Sequence, residues 1–292
     1  MGCLEPRRIG VVFRLMWIGV LLAAGSAFCF STLGIWGKLT QQLGVASSSL
    51  LVWRFALVAL VLFAVGYGRG FAWRERLRMV LFGMAYFVFT ALYFASLERI
   101  SAGTAALLVY LAPVVVVLIH AVQGKRPSQK QLVATGLAVA GLLVIVGLPS
   151  SRDANLLGVV LGALAGIGYG WYLVMSETQR QVPPLSFTAH SALGSAIGFA
   201  VLNVLAGTTR VPNTLPLWGL VAAMAIISTL LALPMLYASI ARIGAAKASL
   251  ISTLEPVYAV VLAWAFIGET PRVEMLFGAV LVLSGAALAS LG

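Results

Sequence analysis

The sequence predicts an all-α integral membrane protein: ten transmembrane helices arranged as two inverted five-helix repeats around a central cavity. Three observations carry this prediction. The first is composition. Of 292 residues, 61% are hydrophobic and 9% are charged, and the mean hydropathy is +1.04. A soluble globular domain carries about 25% charged residues, so this chain has too few charges to cover a water-exposed surface. The second is a series of apolar runs of spanning length. The third is a likeness between the two halves of the chain.

A helix needs about 20 apolar residues to cross a bilayer. Runs of that order fall at 15–36, 47–67, 77–97, 102–122, 129–149, 155–176, 185–206, 215–240, 244–267 and 272–291. Proline, glycine and charge separate them, as in "GKRPSQK" (124–130) and "QRQVPPLS" (179–186). No break is long enough to hold a soluble domain. The opening "MGCLEPRR" lacks the serine or threonine of a myristoylation signal, because Pro6 stands in that place. The first run follows Arg7, Arg8 and Arg14 and resembles a signal peptide, but its length and the repeat below mark it as a retained span. Cys3 and Cys29 suggest no disulfide framework.

The net charge of +11 sits in short segments between the apolar runs. That pattern fits loops held against anionic lipid, so the expected partner is the bilayer and not nucleic acid. With the N-terminus in the cytoplasm, the inner segments carry thirteen basic residues: Arg7, Arg8, Arg14, Arg69, Arg74, Arg76, Arg78, Lys125, Arg126, Lys130, Arg180, Arg242 and Lys247. The outer segments carry five: Lys38, Arg99, Arg152, Arg210 and Arg272. The positive-inside rule then places both termini in the cytoplasm, with the first half of the chain supplying most of the bias.

The segment "YFASLERISAGTAALLVYLAPVVVVL" (93–118) aligns with "YASIARIGAAKASLISTLEPVYAVVL" (237–262), with one gap near the start. Arg99-Ile100 matches Arg242-Ile243, Leu107 matches Leu250, Pro113 matches Pro256, and "GKRP" (124–127) matches "GETP" (268–271). Gly141 matches Gly285. The offset of 143 to 144 residues divides the chain into repeats at 1–149 and 150–292. Five spans separate the matched segments. Five is odd, so the halves are predicted to face opposite ways, which is the inverted-topology repeat of secondary transporters. Two similar halves in opposite senses give two conformations of similar energy, one open to each side.

The chain contains no "GxxxxGK[ST]" phosphate loop, so uphill transport is expected to draw on a proton or substrate gradient. Its two histidines, His120 and His190, form no metal-ligand cluster, and there is no G-x-S-x-G elbow. No catalytic residue, metal or cofactor is expected, and the chain is not read as an enzyme.

These features together resemble the drug/metabolite transporter superfamily, and "ASLISTLEPVYAVVLAWAFIGE" (248–269) resembles the EamA-type signature. The likeness covers nearly the whole chain and is most similar to the YddG-type amino-acid exporters of bacterial inner membranes. It implies export of aromatic and other neutral amino acids, cytoplasmic termini, and a cavity lined by helices one to four and six to nine. The same architecture exporting other metabolites, organic cations or drugs is the alternative. The expected assembly is a monomer or weak dimer.

Few ionisable groups lie inside the spans. An acid at a helix centre costs about 2.5–3.5 kcal/mol on insertion scales, so Glu255 is expected to face the bundle interior. Lys247, Ile251, Glu255 and Tyr258 share one helical face. That face either lines a wet cavity or anchors a neighbouring helix. Pro256 removes the partner of the Ser252 carbonyl, and Pro113 does the same to Val109; kinks at matched places suit gating helices or static packing. Arg54 is a candidate for a carboxylate cargo, or for snorkelling to headgroups. His190 is a candidate proton carrier or a polar packing residue. Tyr86, Tyr93, Tyr110, Trp171 and Tyr237 are the aromatic cavity candidates, weighed against packing or lipid contact. Gly158, Gly162 and Gly166 form a small-residue face for close helix contact.

Overall fold

The computed structural model describes residues 6–42, 47–147, 155–267, 270 and 272–291. Cys3, Arg152 and most of the "GETP" segment lie outside the described residues. Those residues are helical, with no strand among them: α1 (Pro6–Ser31), α2 (Leu33–Gln42), α3 (Ser47–Val65), α4 (Trp73–Leu97), α5 (Ala102–Val109), α6 (Ala112–Val122), α7 (Gln129–Val146), α8 (Leu156–Ser176), α9 (Pro184–Leu205), α10 (Leu215–Ala225), α11 (Ala232–Ser252), α12 (Glu255–Leu262) and α13 (Val273–Leu291).

The helix starts follow from local chemistry. Ser128 accepts the Gln131 N–H at 3.2 Å to cap α7, and Asn155 accepts the Gly158 N–H at 2.9 Å to cap α8. Ahead of α4, the Ala72 N–H donates to Glu75 at 2.9 Å. Prolines open α9 and sit in the first turn of α10, where a missing N–H costs nothing.

Eight apolar helical stretches among the described residues are long enough to cross a membrane, and two shorter ones run over Ser49–Val65 and Glu255–Phe266. One boundary differs from the sequence reading. The runs expected at 215–240 and 244–267 are joined in a single apolar stretch, Leu215–Ser252, which turns sharply at Gly244 (φ 79°, ψ 163°). Glycine has no Cβ and adopts this conformation without strain. A π-helical segment, Ile226–Leu231, connects α10 to α11.

The packing is paired. α7 lies along α13, α1 along α11 and α12, α4 along α8 and α9, α5 and α6 along α8, and α3 along α9 and α10. Exchanging the two halves turns this set of contacts into itself: α1 on α11 corresponds to α8 on α4, and α7 on α13 corresponds to itself. Glycines set the closest approaches at equivalent places. A Cβ on Gly158 would come 2.8 Å from Arg99 Cβ, and one on Gly19 would come 3.1 Å from Arg242 Cβ. The Arg99 and Arg242 guanidiniums each donate to the carbonyl four residues back, at 2.6 and 2.8 Å.

The tightest contact joins α4 to α9. A Cβ on Gly83 would lie 2.0 Å from the Ser191 carbonyl oxygen, and one on Gly194 would lie 2.0 Å from that of Val80. Backbone cannot step aside as a side-chain tip can. Gly83→Ala should therefore destabilise at the upper end of the 1–3 kcal/mol range of overpacked sites, about 3 kcal/mol. Gly136 has nothing within 4 Å of the same position, so Gly136→Ala should be neutral or raise helix stability by up to about 1 kcal/mol. Thermal unfolding of both variants in detergent checks the contrast.

Candidate functional site

Two helices break at equivalent places. α5 ends at Val109, a turn carries Tyr110 and Leu111, and α6 restarts with Pro113 in its first turn. α11 ends at Ser252, a turn carries Thr253 and Leu254, and α12 restarts with Glu255 and Pro256. Short i→i+3 bonds tighten both turns: Leu111 N–H to the Leu108 carbonyl at 3.2 Å, and Leu254 N–H to that of Ile251 at 3.0 Å. The prolines thus end one helix and begin another. Glu255 occupies the first turn of the new helix, where unpaired N–H groups and the helix dipole favour an acid.

The breaks bring Tyr110 and Glu255 within interaction distance of each other. Tyr86, Tyr93 and Tyr169 lie within electrostatic reach of the same carboxylate. Glu255, Tyr93, Tyr110 and Tyr169 are half-buried and keep accessible surface, which makes them the candidate wall of a cavity. Aromatic packing extends this wall: Tyr86 lies 4.8 Å from Phe89 and 5.6 Å from Tyr172, and Phe89 lies 5.1 Å from Tyr169, centroid to centroid.

Arg54 also lies within electrostatic reach of Tyr86. It is 3% exposed. Its Nε donates to Thr229 Oγ1 at 2.6 Å and its Nη2 to the Ser228 carbonyl at 2.7 Å, both in the π-helical segment of α10–α11. The guanidinium carbon lies 4.9 Å from the Phe55 ring centre. Among the described residues no carboxylate pairs with it, and its Nη1 makes no hydrogen bond. The snorkelling alternative does not describe this side chain, which turns into the bundle.

The other sequence candidates divide. Tyr237 is buried, hydrogen-bonded to the Tyr172 hydroxyl, 3.2 Å from Ser191 Oγ and 4.4 Å from the Phe187 ring. It braces the wall of the cavity from behind. Tyr258 packs edge-on against Phe28 at 5.6 Å, joining α12 to α1. His190 makes a 2.8 Å hydrogen bond through Nδ1 with the Ser186 carbonyl and is boxed by Phe63 and Phe71 at 5.0 and 5.9 Å, away from the tyrosine group. Trp171 is 47% exposed on the outer surface of α8, so the structure does not bring it to the cavity. Lys247 is also placed elsewhere. The break at 253–254 separates it from Glu255, and it lines a cavity of about 220 Å³ at the basic end with His120, Lys130 and Glu177. Tyr169, which the sequence reading passed over, takes the place assigned to Trp171. Its neighbour three residues on, Tyr172, is fully buried behind it.

A paired bundle of membrane-length helices with an acid, a guanidinium and several phenols in its interior fits a membrane transporter, and comparison with known proteins gives its family. The model of the EamA-like transporter family matches twice, over residues 17–147 and 156–291, and the chain belongs to that family, within the drug/metabolite transporter superfamily. It is 30% identical over 215 residues to an uncharacterized transporter of Archaeoglobus fulgidus, covering 72% of this chain and 75% of that one. It is 26% identical to the uncharacterized transporter YyaM of Bacillus subtilis, over 94% and 93% of the two chains. It is 28% identical to the threonine/homoserine exporter RhtA of Escherichia coli K12, over 79% and 78%. A solved crystal structure matches with a TM-score of 0.77 at 21% identity, covering 94% of this chain and 96% of the other, and shares the fold.

The hydroxyl pair behind the cavity yields a stability test. Tyr237→Phe leaves the buried Tyr172 hydroxyl without this partner, at a cost of about 1–3 kcal/mol, and Tyr172→Phe should cost less, because the Tyr237 hydroxyl keeps Ser191 Oγ at 3.2 Å. The double variant removes both hydroxyls and should cost clearly less than the sum of the two single changes, a coupling of about 1 kcal/mol or more. Thermal unfolding of the three variants measures it; simple additivity would show that the two hydroxyls act independently.

Proposed function

We propose that the protein exports amino acids, aromatic and other neutral ones among them, across the bacterial inner membrane by alternating access. Ten spans in two inverted halves, 1–149 and 150–292, carry this motion, with both termini in the cytoplasm. Three findings support the inverted halves: the paired contacts, the equivalent glycine approaches, and the two successive matches to one family model. A proton or substrate gradient supplies any energy needed.

The observation that carries the cargo assignment is the distribution of charge around Tyr86. This phenol lies within electrostatic reach of both Glu255 and Arg54. Glu255 offers a carboxylate for an ammonium group, and Arg54 offers a fork without an acid partner for a carboxylate. Tyrosine faces between them suit a flat or apolar side chain. The relative named as a threonine/homoserine exporter supports a zwitterionic cargo. One feature favours the second reading: a carboxylate ringed by tyrosines also fits an organic cation. Arg54 separates the two, because a cation has no use for it.

Counterflow of labelled amino acids in proteoliposomes should be observed without ATP, with phenylalanine or tryptophan competing. Movement of cationic dyes with no amino-acid counterflow would favour the second reading. Glu255→Gln keeps size and hydrogen bonding and removes the charge. Folded yield by size exclusion should stay near that of the parent while transport per folded molecule falls at least about tenfold, the weight of one charge-assisted hydrogen bond. Loss of yield with normal transport per molecule would assign Glu255 to helix anchoring instead.

A further inference from the structure

The basic end of the bundle holds a second charged cluster, apart from the tyrosine cavity. Its centre is Glu177, in the short 3-10 turn that follows α8. Its Oε1 accepts the Ala245 N–H at 2.6 Å and lies 3.4 Å from Arg180 Nη2. Its Oε2 lies 3.3 Å from His120 Nε2 and 3.6 Å from Lys125 Nζ. The His120 nitrogen is within ion-pair distance of the carboxylate but is not aligned for a hydrogen bond, so this contact is looser than the one to Ala245. The Glu177 side chain is 11% exposed, and the lysine and arginine reach it from the solvent side.

The internal repeat explains why α8 supplies this acid. In the first half, Ser101 caps α5 by accepting the Thr104 N–H at 3.3 Å. The aligned residue in the second half is Gly244, which has no side chain to offer and turns the backbone into the positive-φ region. A Cβ at Gly244 would sit 3.2 Å from Glu177 Oε1. The helical segment that begins at Ala245 therefore has no local cap, and the carboxylate of another span takes that role. The first half needs no such partner.

We propose that Glu177 is a positioning residue of transport that holds the basic end of the bundle closed. It ties the end of α8 to the end of α6 through His120 and Lys125, and to the start of the Ala245 segment through its N–H. That segment leads through the turn at 253–254 to Glu255, ten residues on. Release at Glu177 frees the end of the span that carries the cavity acid. The clasp is charge-unbalanced: one carboxylate faces Lys125, Arg180 and His120. Without it the cations repel one another and the Ala245 N–H lacks an acceptor. The adjoining cavity, lined also by Lys130 and Lys247, then admits water. This proposal rests on the alternating-access reading and on the basic end facing the cytoplasm. It is independent of which cargo is moved.

The test uses the full chain in lipid nanodiscs without cargo, with Cys3→Ser and Cys29→Ala removing the native thiols. Spin labels go on cysteines at Gln123 and Arg242, both exposed at the basic end, and their separation is measured by pulsed electron paramagnetic resonance. The parent should show one short distance. Glu177→Gln should shift the ratio of long to short distances by about tenfold, the weight of one charge-assisted hydrogen bond. Glu177→Asp keeps the charge but falls one methylene short of Ala245, so it should shift less in the same direction. A salt bridge with a structural role alone would lower the melting temperature of both variants and leave the distances unchanged. A folded E177Q with the parent's distribution overturns the proposal. If E177Q does not fold, an unchanged distribution for folded E177D overturns it. Since no cargo is present, failure here is distinguishable from failure of the amino-acid reading, which counterflow decides.

Discussion

A proline inside a membrane-spanning helix leaves a carbonyl that hydrocarbon cannot satisfy. Of the prolines inside the spans, two stand at matched places, Pro113 and Pro256, and each of these ends one helix and starts another. The freed backbone has to face protein or an enclosed wet space. That requirement turns both breaks inward, and the inward turn places Tyr110 and Glu255 within interaction distance. On the proposed reading the break opens toward a wet cavity, and a carboxylate at mid-bundle then becomes tolerable. It also begins a new helix, whose dipole favours it. The pairing of Glu255 with Pro256 is therefore a single device: the imino acid opens the helix and the acid uses the opening.

The two halves share a scaffold and differ in chemistry. Their glycines make equivalent close approaches, and Arg99 and Arg242 make the same bond to the preceding turn. Yet Ala112 stands where Glu255 stands, and Ser101 stands where Gly244 stands. The second half carries the acid of the cavity and borrows its cap from Glu177. Under the proposed alternating access, a symmetric frame with asymmetric chemistry would give two arrangements of similar packing energy, with polar contacts biasing the choice between them. Arg54 adds to this bias across the repeat boundary, since a residue of α3 is bonded to the π-helical segment before α11.

Much of this was legible in the sequence. Low charge and runs of spanning length gave the helical membrane class. The Arg-Ile pair, the leucine and the proline in phase gave the likeness of the two halves, and the prolines marked the places where both helices break, read there as kinks. Glu255 stood out because so few charges lie in the spans. Other features were hidden for physical reasons. Gly244 hardly interrupts hydropathy, so its turn is written in backbone conformation and not in composition. In "GIGYGWYLV" a bulky aromatic can point inward or outward, and Trp171 drew attention by size. The glycine face at 158, 162 and 166 held the answer. At 100° per residue, Tyr169 falls about 60° from Gly166 and Trp171 about 140° away, so Trp171 faces outward. Glu177 was invisible as a site because its meaning depends on a missing cap in a different span.

The central claim is that one cavity, lined by Glu255 and its tyrosines, opens in turn to each side of the membrane. The most direct measurement is two-sided accessibility. A single cysteine at Tyr93, in a background lacking Cys3 and Cys29, is exposed to a membrane-impermeant thiol reagent from one side of sealed, oriented proteoliposomes and then from the other. The account predicts labelling from both sides, with cargo altering the two rates in opposite directions. Labelling from one side only, under every cargo condition, would contradict it.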